Sequence, residues 1–383
     1  MSILAIPTYF SQVSKALEEI QPNIPVYIMK RHILEEKVKT FSAIFQGRVL
    51  YSVKSNPCEK ILTTLYSLGI KHFDVASIKE VELLRRILPQ AVLYYMHPVK
   101  SASSIRDAYF NHNVKIFSLD SIEELHKIYK ATNNAKDLSL HVRIATENKS
   151  SAFNLSSKFG IDLDKAYELL IETRKLASQF GICFHVGSQC LDAHAFNQTL
   201  SRLSSYLIEK KISIDVVDIG GGFPVRYPEM IPMNLNIYLD KVNSAINTFR
   251  EVFPRCDVWA EPGRVLVAEA GSLVVRVDRR KDNVLYINDG VYGGLFDAGT
   301  PAFRYHATAY RGSPNKGETL SQDNVMFSFY GPTCDCLDYM EGPFILPKNI
   351  KEGDYIELHN LGAYSKSLRT NFNGFYDYLE LDL

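Results

Sequence analysis

The sequence predicts an α/β protein: a (β/α)8, TIM-like barrel over residues 30–269, and a C-terminal β-sandwich or β-barrel domain over residues 270–383 that residues 1–29 complete with a strand. Three observations lead there. Eight short apolar runs dense in Val, Ile, Phe and Tyr recur up to residue 260, as expected of strands buried on both faces. Helix-sized connections separate them. Beyond residue 269 the helical patterns give way to short strands between Gly, Pro and Asp turns.

Taken in order, Val26–Met29 is a strand assigned to the β domain. The barrel strands are Val49–Val53, Lys71–Val75, Val92–Met96, Val114–Ser118, Leu138–Ile144, Ile182–Val186, Val216–Ile219 and Asp257–Ala260. Apolar residues at helical spacing mark Glu59–Leu68, Lys79–Leu88, Ser121–Tyr129, Leu163–Gln179, Ala193–Glu209 and Leu235–Val252. An open doubly wound sheet fits the same alternation; the closed barrel is the preferred reading. Gly271–Val277, Val284–Ile287, Val325–Tyr330 and Tyr355–His359 are the strands of the β domain. There is no internal repeat and no low-complexity tract.

Lys+Arg and Asp+Glu both number 43, so net charge gives no reason to expect nucleic acid or a membrane as partner. The six cysteines show neither disulfide nor zinc spacing, and no metal is expected. Met1–Phe10 lacks a basic stretch followed by a long apolar run. A cytoplasmic protein with reduced thiols is the expectation.

Barrels of this kind carry their chemistry at the C-terminal strand ends. Lys54 ends the first strand, Asp74 the second and His185 the sixth; His97 follows the third and Arg143 lies in the fifth. Gly220, Gly221 and Gly222 end the seventh, and Glu261-Pro-Gly-Arg264 the eighth. Each alone has a plain reading. Lys54 is a solvated lysine, Asp74 an N-cap for a helix starting near Ser77, and His185 a core histidine. The glycines are a turn, and Glu261 with Arg264 an ion pair. Their convergence on one mouth is what favours chemistry. A glycine triplet lets a phosphate approach the backbone.

Nine segments in order resemble the ornithine/lysine/diaminopimelate decarboxylase family, the fold-type III pyridoxal 5'-phosphate (PLP) enzymes. They are Tyr51-Ser-Val-Lys-Ser-Asn56, Phe73-Asp-Val-Ala-Ser77, His185-Val-Gly-Ser188, Asp218-Ile-Gly-Gly-Gly-Phe-Pro224, Ala260-Glu-Pro-Gly-Arg264, Asn288-Asp-Gly-Val-Tyr-Gly293, Gly331-Pro-Thr-Cys-Asp335, Gly362-Ala-Tyr364 and Phe372-Asn-Gly-Phe375. The resemblance runs from about residue 25 to the C-terminus and implies a PLP-binding barrel followed by a β domain.

It also implies roles. Lys54 carries the cofactor as an imine, Glu261 faces the pyridine nitrogen, and His185 stacks on the ring. Ser188, Gly220, Gly221, Gly222, Gly263 and Arg264 hold the phosphate, with Tyr364 near it. Asp74, Arg143 and Glu80 support the cofactor. Cys334, from the second copy of a homodimer with shared active sites, returns a proton to the α-carbon. Asp335 contacts the distal amine of the small-molecule substrate, with Tyr292 and Phe372 beside it. Asp335 resembles the ornithine/lysine branch, where diaminopimelate decarboxylases usually have Glu. The chain departs from that branch over Gly293–Pro301: the family spacing for a second acid lands on Pro301, and Asp297 is the nearest acidic residue. A masked distal amine (acylated, citryl-linked or carrier-bound) is therefore weighed beside free ornithine or lysine. Siderophore, antibiotic or polyamine synthesis would be the setting. An antizyme-inhibitor-like regulator is the non-catalytic rival, opposed by retention of Lys54, His185, Glu261 and Cys334. An alanine-racemase-like enzyme would need Arg in place of Glu261.

Overall fold

The computed structural model describes residues 5–146, 151–153, 158–300 and 303–383. They form two compact units, one of Glu35–Val225 and Pro232–Leu266, the other of Met1–Leu34, Arg226–Ile231 and Val267–Leu383.

The first unit is a closed parallel barrel of eight strands: Arg48–Ser52, His72–Val75, Val92–Tyr95, Ile116–Leu119, Ser139–Ile144, Gln179–Phe184, Val216–Asp218 and Asp257–Ala260. The last pairs with the first, Trp259 opposite Arg48 and Ala260 opposite Val49, so the sheet has no edge and the open doubly wound alternative is set aside. Ser52 lies opposite Asp74 and Arg143 opposite Cys183. Register thus brings polar residues of neighbouring strands to the same height.

Several boundaries differ from the sequence expectation. The first strand ends at Ser52, and Lys54 is the middle residue of a 3-10 turn, Val53–Ser55. Ser55 Oγ donates to Ser52 O at 2.8 Å and tightens that turn. The stretch Leu163–Gln179 is not one helix: a 3-10 turn, Leu163–Lys165, precedes the helix Tyr167–Leu176, and Gln179 already opens the sixth strand. Gln179 Oε1 accepts from Ser139 Oγ of the fifth strand at 2.8 Å, which holds it in the sheet. A short helix, Ala102–Phe110, follows the third strand; Ser101 caps it by accepting from Ser104 N. Asp74 is a strand residue; the cap of the helix Ile78–Ile87 is Ser77, whose hydroxyl accepts from Glu80 N at 3.2 Å while Glu80 Oε2 accepts from Ala76 N at 2.7 Å. That reciprocal pair is a capping box.

The second unit is built on an eight-stranded sheet. Its path runs Ala307–Tyr310, Tyr355–Leu358, Gly271–Lys281, Val284–Ile287, Asn324–Tyr330 and Tyr339–Pro347. Val26–Met29 pairs antiparallel with Gly271–Lys281 and parallel with Leu379–Asp382, so the N-terminal strand does complete this sheet. Among the described residues no helix is long and apolar enough to cross a membrane.

The barrel floor is packed tightly under the mouth. His141 is fully buried and burial pushes its imidazole down to about 3. A Cβ on Gly181 would lie 2.2 Å from its Nδ1. Gly181→Ala should therefore cost about 1–3 kcal/mol through overpacking, read as a lowered urea midpoint; an unchanged midpoint would contradict this packing.

Candidate active site

The barrel mouth collects acids and bases at its strand ends. Lys54 Nζ lies 3.9 Å from Asp74 Oδ2, and Ser52 Oγ donates to the same oxygen at 2.6 Å. Asp74 is buried whereas about half of the Lys54 side chain is exposed. The carboxylate is therefore the fixed partner and the amine the accessible one.

Two further carboxyls, Asp218 and Glu261, are buried on the seventh and eighth strand ends. Glu261 N donates to Gly220 O at 2.8 Å and Gly220 N to Asp218 Oδ1 at 2.8 Å. Burial first, then the negative charges of Asp218 and Asp74, hold the Glu261 carboxyl well above the usual range. Asp218 is pushed up to about 7, chiefly by burial. Glu80 is likewise raised to about 7 by burial. The positive groups acting on this cluster are Lys54 and Arg143. Cations that close lower a carboxyl's pKa, but desolvation is the larger effect here.

His185 follows the sixth strand. Its Nδ1 accepts from Gly187 N at 2.9 Å, which leaves the ring proton on Nε2. Burial and the charges of Arg143 and Lys54 hold its pKa well below the ordinary histidine value, so the imidazole is neutral. His97 accepts from Val99 N through Nδ1 at 3.1 Å and meets the edge of Phe159.

The glycines have no room for side chains. Gly220 (φ 71°) and Gly222 (φ 97°) occupy the left-handed region. A Cβ on Gly221 would lie 2.7 Å from Glu261 O and 3.1 Å from His185 Nε2. Gln189 clamps the segment, donating to Val225 O and accepting from Val225 N, both at 2.8 Å. Gly263 packs on Ser55 and Ser52, and Arg264 is buried beside it. Ser188 begins a short strand, Ser188–Cys190.

The remaining expected residues lie in the second unit. Tyr292 OH donates to Asp335 Oδ2 at 2.7 Å, and its ring centroid is 4.8 Å from that of Phe372. Cys334 is exposed; its backbone N and its thiol both meet Asn373 Oδ1, at 3.2 and 3.3 Å. Leu337 N donates to Asp335 Oδ1, and this bond with that from Tyr292 holds the Asp335 carboxyl below its ordinary range. Asp297 is buried in the 3-10 turn Phe296–Gly299. Pro301 lies outside the described residues. Tyr364 has φ 54°, strained for a bulky residue, a feature common at functional sites.

Residues 31–268 match the family model described as pyridoxal-dependent decarboxylase, pyridoxal binding domain. The chain belongs to the pyridoxal-dependent decarboxylase family. It is similar to the lysine/ornithine decarboxylase of Selenomonas ruminantium, 33% identical over 97% of this chain and 88% of that one. It is 31% identical to antizyme inhibitor 2 of Xenopus laevis, over 90% and 77%. The solved arginine decarboxylase of Paramecium bursaria Chlorella virus, bound to agmatine, superposes with a TM-score of 0.83 at 26% identity, covering 97% of this chain and all of that one.

The cofactor of this decarboxylase is PLP, and the barrel mouth fits it. The group is a flat ring with a basic nitrogen, an aldehyde and a phosphate. The mouth offers a buried acid, an amine, a neutral imidazole face and a glycine corner that any Cβ would fill.

Asp218 and Gln189 escape a reading of residue types, because Asp218 hides inside a glycine-rich segment and Gln189 works only through a folded loop. The Asp218 carboxyl has a definite consequence. The folded chain keeps its proton to about pH 7, while an unfolded Asp releases it near pH 4. Stability therefore falls as pH rises through that window. Asp218→Asn should flatten this fall in the cofactor-free chain and stabilise it at pH 8 by about 1–3 kcal/mol, read by thermal melts at several pH values. A variant that is less stable than the parent at every pH would contradict the assignment.

Proposed function

We propose that this decarboxylase releases CO2 from a basic L-amino acid at a site built from the barrel of one copy and the Cys334–Asp335 loop of a second. The observation that carries this reading is the grouping of Lys54, Asp74, Arg143, His185 and Glu261 about one barrel mouth.

PLP, when bound, supplies an electron-withdrawing ring that accommodates the electron pair left as CO2 departs. Lys54 is the amine that holds it, with Asp74 as its fixed anionic partner. Glu261 would face the ring nitrogen. A buried carboxyl gives up its proton to water reluctantly, so one proton would stay shared between its oxygen and the nitrogen, and the nitrogen would gain positive charge as that proton moves onto it. His185 supplies an uncharged stacking face. Backbone amides of Gly221, Gly222 and Gly263, with Ser188 and the Arg264 guanidinium, would hold the phosphate, and Gly220, whose N–H is taken by Asp218, shapes the corner. Cys334 Sγ returns a proton to the α-carbon. Asp335 and Tyr292 receive the distal end of the substrate, with Phe372 as an apolar wall. Because the site needs two copies, the active form is a homodimer in the cytoplasm.

The distal end of the substrate is the finer question. Asp335 favours an ornithine- or lysine-like side chain. The family spacing for a second acid lands on Pro301, so Asp335 would face the distal group without the second acid that a desolvated free ammonium calls for. The substrate is accordingly a diamino acid with an acylated, citryl-linked or carrier-bound distal amine, as in siderophore or antibiotic synthesis. Free ornithine or lysine, as in polyamine synthesis, is the competitor. The likeness to antizyme inhibitor 2 supports a second, non-catalytic reading. Retention of Lys54, His185, Glu261 and Cys334 speaks against it.

Lys54→Ala should abolish the visible absorbance of the bound cofactor and lower CO2 release by about a hundredfold or more. Undiminished turnover would remove Lys54 from the chemistry. Across a panel of ornithine, lysine, arginine and their distal N-acyl or citryl derivatives, kcat/KM for a substituted substrate should exceed that for the free amino acids by about tenfold or more. High specificity for a free amino acid, with no turnover of substituted ones, would overturn the masked-amine reading.

A further inference from the structure

A thiol that must deliver a proton to one carbon has to be aimed, yet Cys334 stands exposed on a loop. We propose that Asn373 is the residue that positions Cys334, and that the buried Asp289–Arg369 pair in turn sets Asn373. The inference rests on the reading of Cys334 as the acid.

One oxygen, Asn373 Oδ1, meets both the backbone N of Cys334 at 3.2 Å and its Sγ at 3.3 Å. The first contact fixes where the backbone is, and the second selects one side-chain rotamer. With the S–H pointing at this oxygen, the proton waits on sulfur in a defined direction. Asn373 itself has φ 51° and ψ 12° inside the turn Phe372–Gly374. Asn is among the few L-residues that take this left-handed conformation readily. The position thus asks for two properties together, a left-handed backbone and a short acceptor.

The turn is fastened from behind. Arg369 Nε donates to Tyr376 O at 2.8 Å and Nη2 to Asp377 O at 3.2 Å, and its Nη1 pairs with Asp289 Oδ2 at 2.8 Å. Both side chains of that pair are only 2% exposed. Asp289 Oδ1 accepts from Gly290 N at 2.8 Å and Gly294 N at 3.0 Å. A Cβ on Gly293 would lie 1.6 Å from that oxygen, which explains the glycine there. On the other flank Asp338 Oδ2 accepts from Thr333 N at 3.0 Å and Thr333 Oγ1 at 2.7 Å, one residue before the thiol. The Asn288-Asp-Gly segment is therefore tied by hydrogen bonds, through Arg369 and the turn, to a cysteine more than forty residues away in sequence.

In the proton step, the Sγ–H bond of Cys334 breaks and a C–H bond forms at the substrate's α-carbon. The electron pair stays on sulfur, and the thiolate takes a proton from solvent before the next turnover. Asn373 gives and takes no proton; it is a positioning residue.

The test compares holoenzyme carrying Asn373→Gly, Asn373→Asp or Cys334→Ala with the parent. Glycine keeps the left-handed backbone and removes the acceptor; aspartate keeps both. Two quantities are read: amine formed per CO2 released, and the rate of Cys334 alkylation by iodoacetamide, mapped by peptide mass with Cys336 as internal reference. Asn373→Gly should lower the amine-to-CO2 ratio and speed Cys334 alkylation about threefold, with Cys336 unmoved. Asn373→Asp should restore the ratio and alkylate no faster than the parent. If Cys334→Ala lowers the ratio while Asn373→Gly changes neither quantity, the positioning role is overturned and the reading of Cys334 stands. If Cys334→Ala leaves the amine-to-CO2 ratio unchanged, the acid is another group and both fall together.

Discussion

Acid buried in excess of base at the barrel mouth is the constraint on which the site depends. Asp74, Asp218 and Glu261 are all withdrawn from water, and Lys54 and Arg143 are the cations that act on Glu261. Charging all three carboxyls in so small a space would be costly, so the cluster retains protons near neutral pH. A carboxyl that resists ionisation is poor as a surface ion-pair partner and well suited to sharing a proton with a heteroaromatic nitrogen. Burial, with the positive charges of Arg143 and Lys54 added to it, depresses His185 into a neutral ring. Withdrawal from water thus prepares an acid and an uncharged stacking face together, beside an accessible amine.

That condition is held by backbone geometry more than by the charges themselves. Closure of the barrel through Trp259 and Arg48 brings the eighth strand beside the first and so brings Glu261 round to the side of Lys54. Left-handed glycines let the seventh strand turn sharply below His185, and Gln189 locks the far side of that turn to Val225. The capping box of Ser77 and Glu80 shows economy of another kind: the side chain that completes a helix start is also a buried acid under the influence of Asp74 and Lys54. In the second unit Asp338 and Asp289 do the corresponding work, each collecting amides of loops that carry Cys334, Asp335 and Tyr292.

Much of this was legible in the residues. All eight barrel strands were visible as apolar runs, because strands buried on both faces are dense in Val, Ile and Phe. Polar residues at their C-terminal ends stood out against that background. What escaped depends on contacts distant in sequence. The 3-10 turn at Lys54 follows from hydrogen bonds of Ser55 and Ser52. The early start of the sixth strand rests on Gln179 finding Ser139. The helix Ala102–Phe110 has a serine-rich first turn that masks its apolar face. Asp218 read as part of a glycine motif and Asn373 as part of a turn. Each acquires meaning from a neighbour forty or so residues away, Glu261 for the one and Cys334 for the other.

The central claim is that Glu261 and the ring nitrogen of bound cofactor share a proton in a site too dry to lose it. Nitrogen NMR of the chain loaded with PLP labelled at the ring nitrogen tests this directly. The shift expected is that of a protonated, hydrogen-bonded pyridine, constant from about pH 6 to about pH 9 and lost in Glu261→Gln. A nitrogen that titrates like free PLP, or one indifferent to the loss of Glu261, would contradict it.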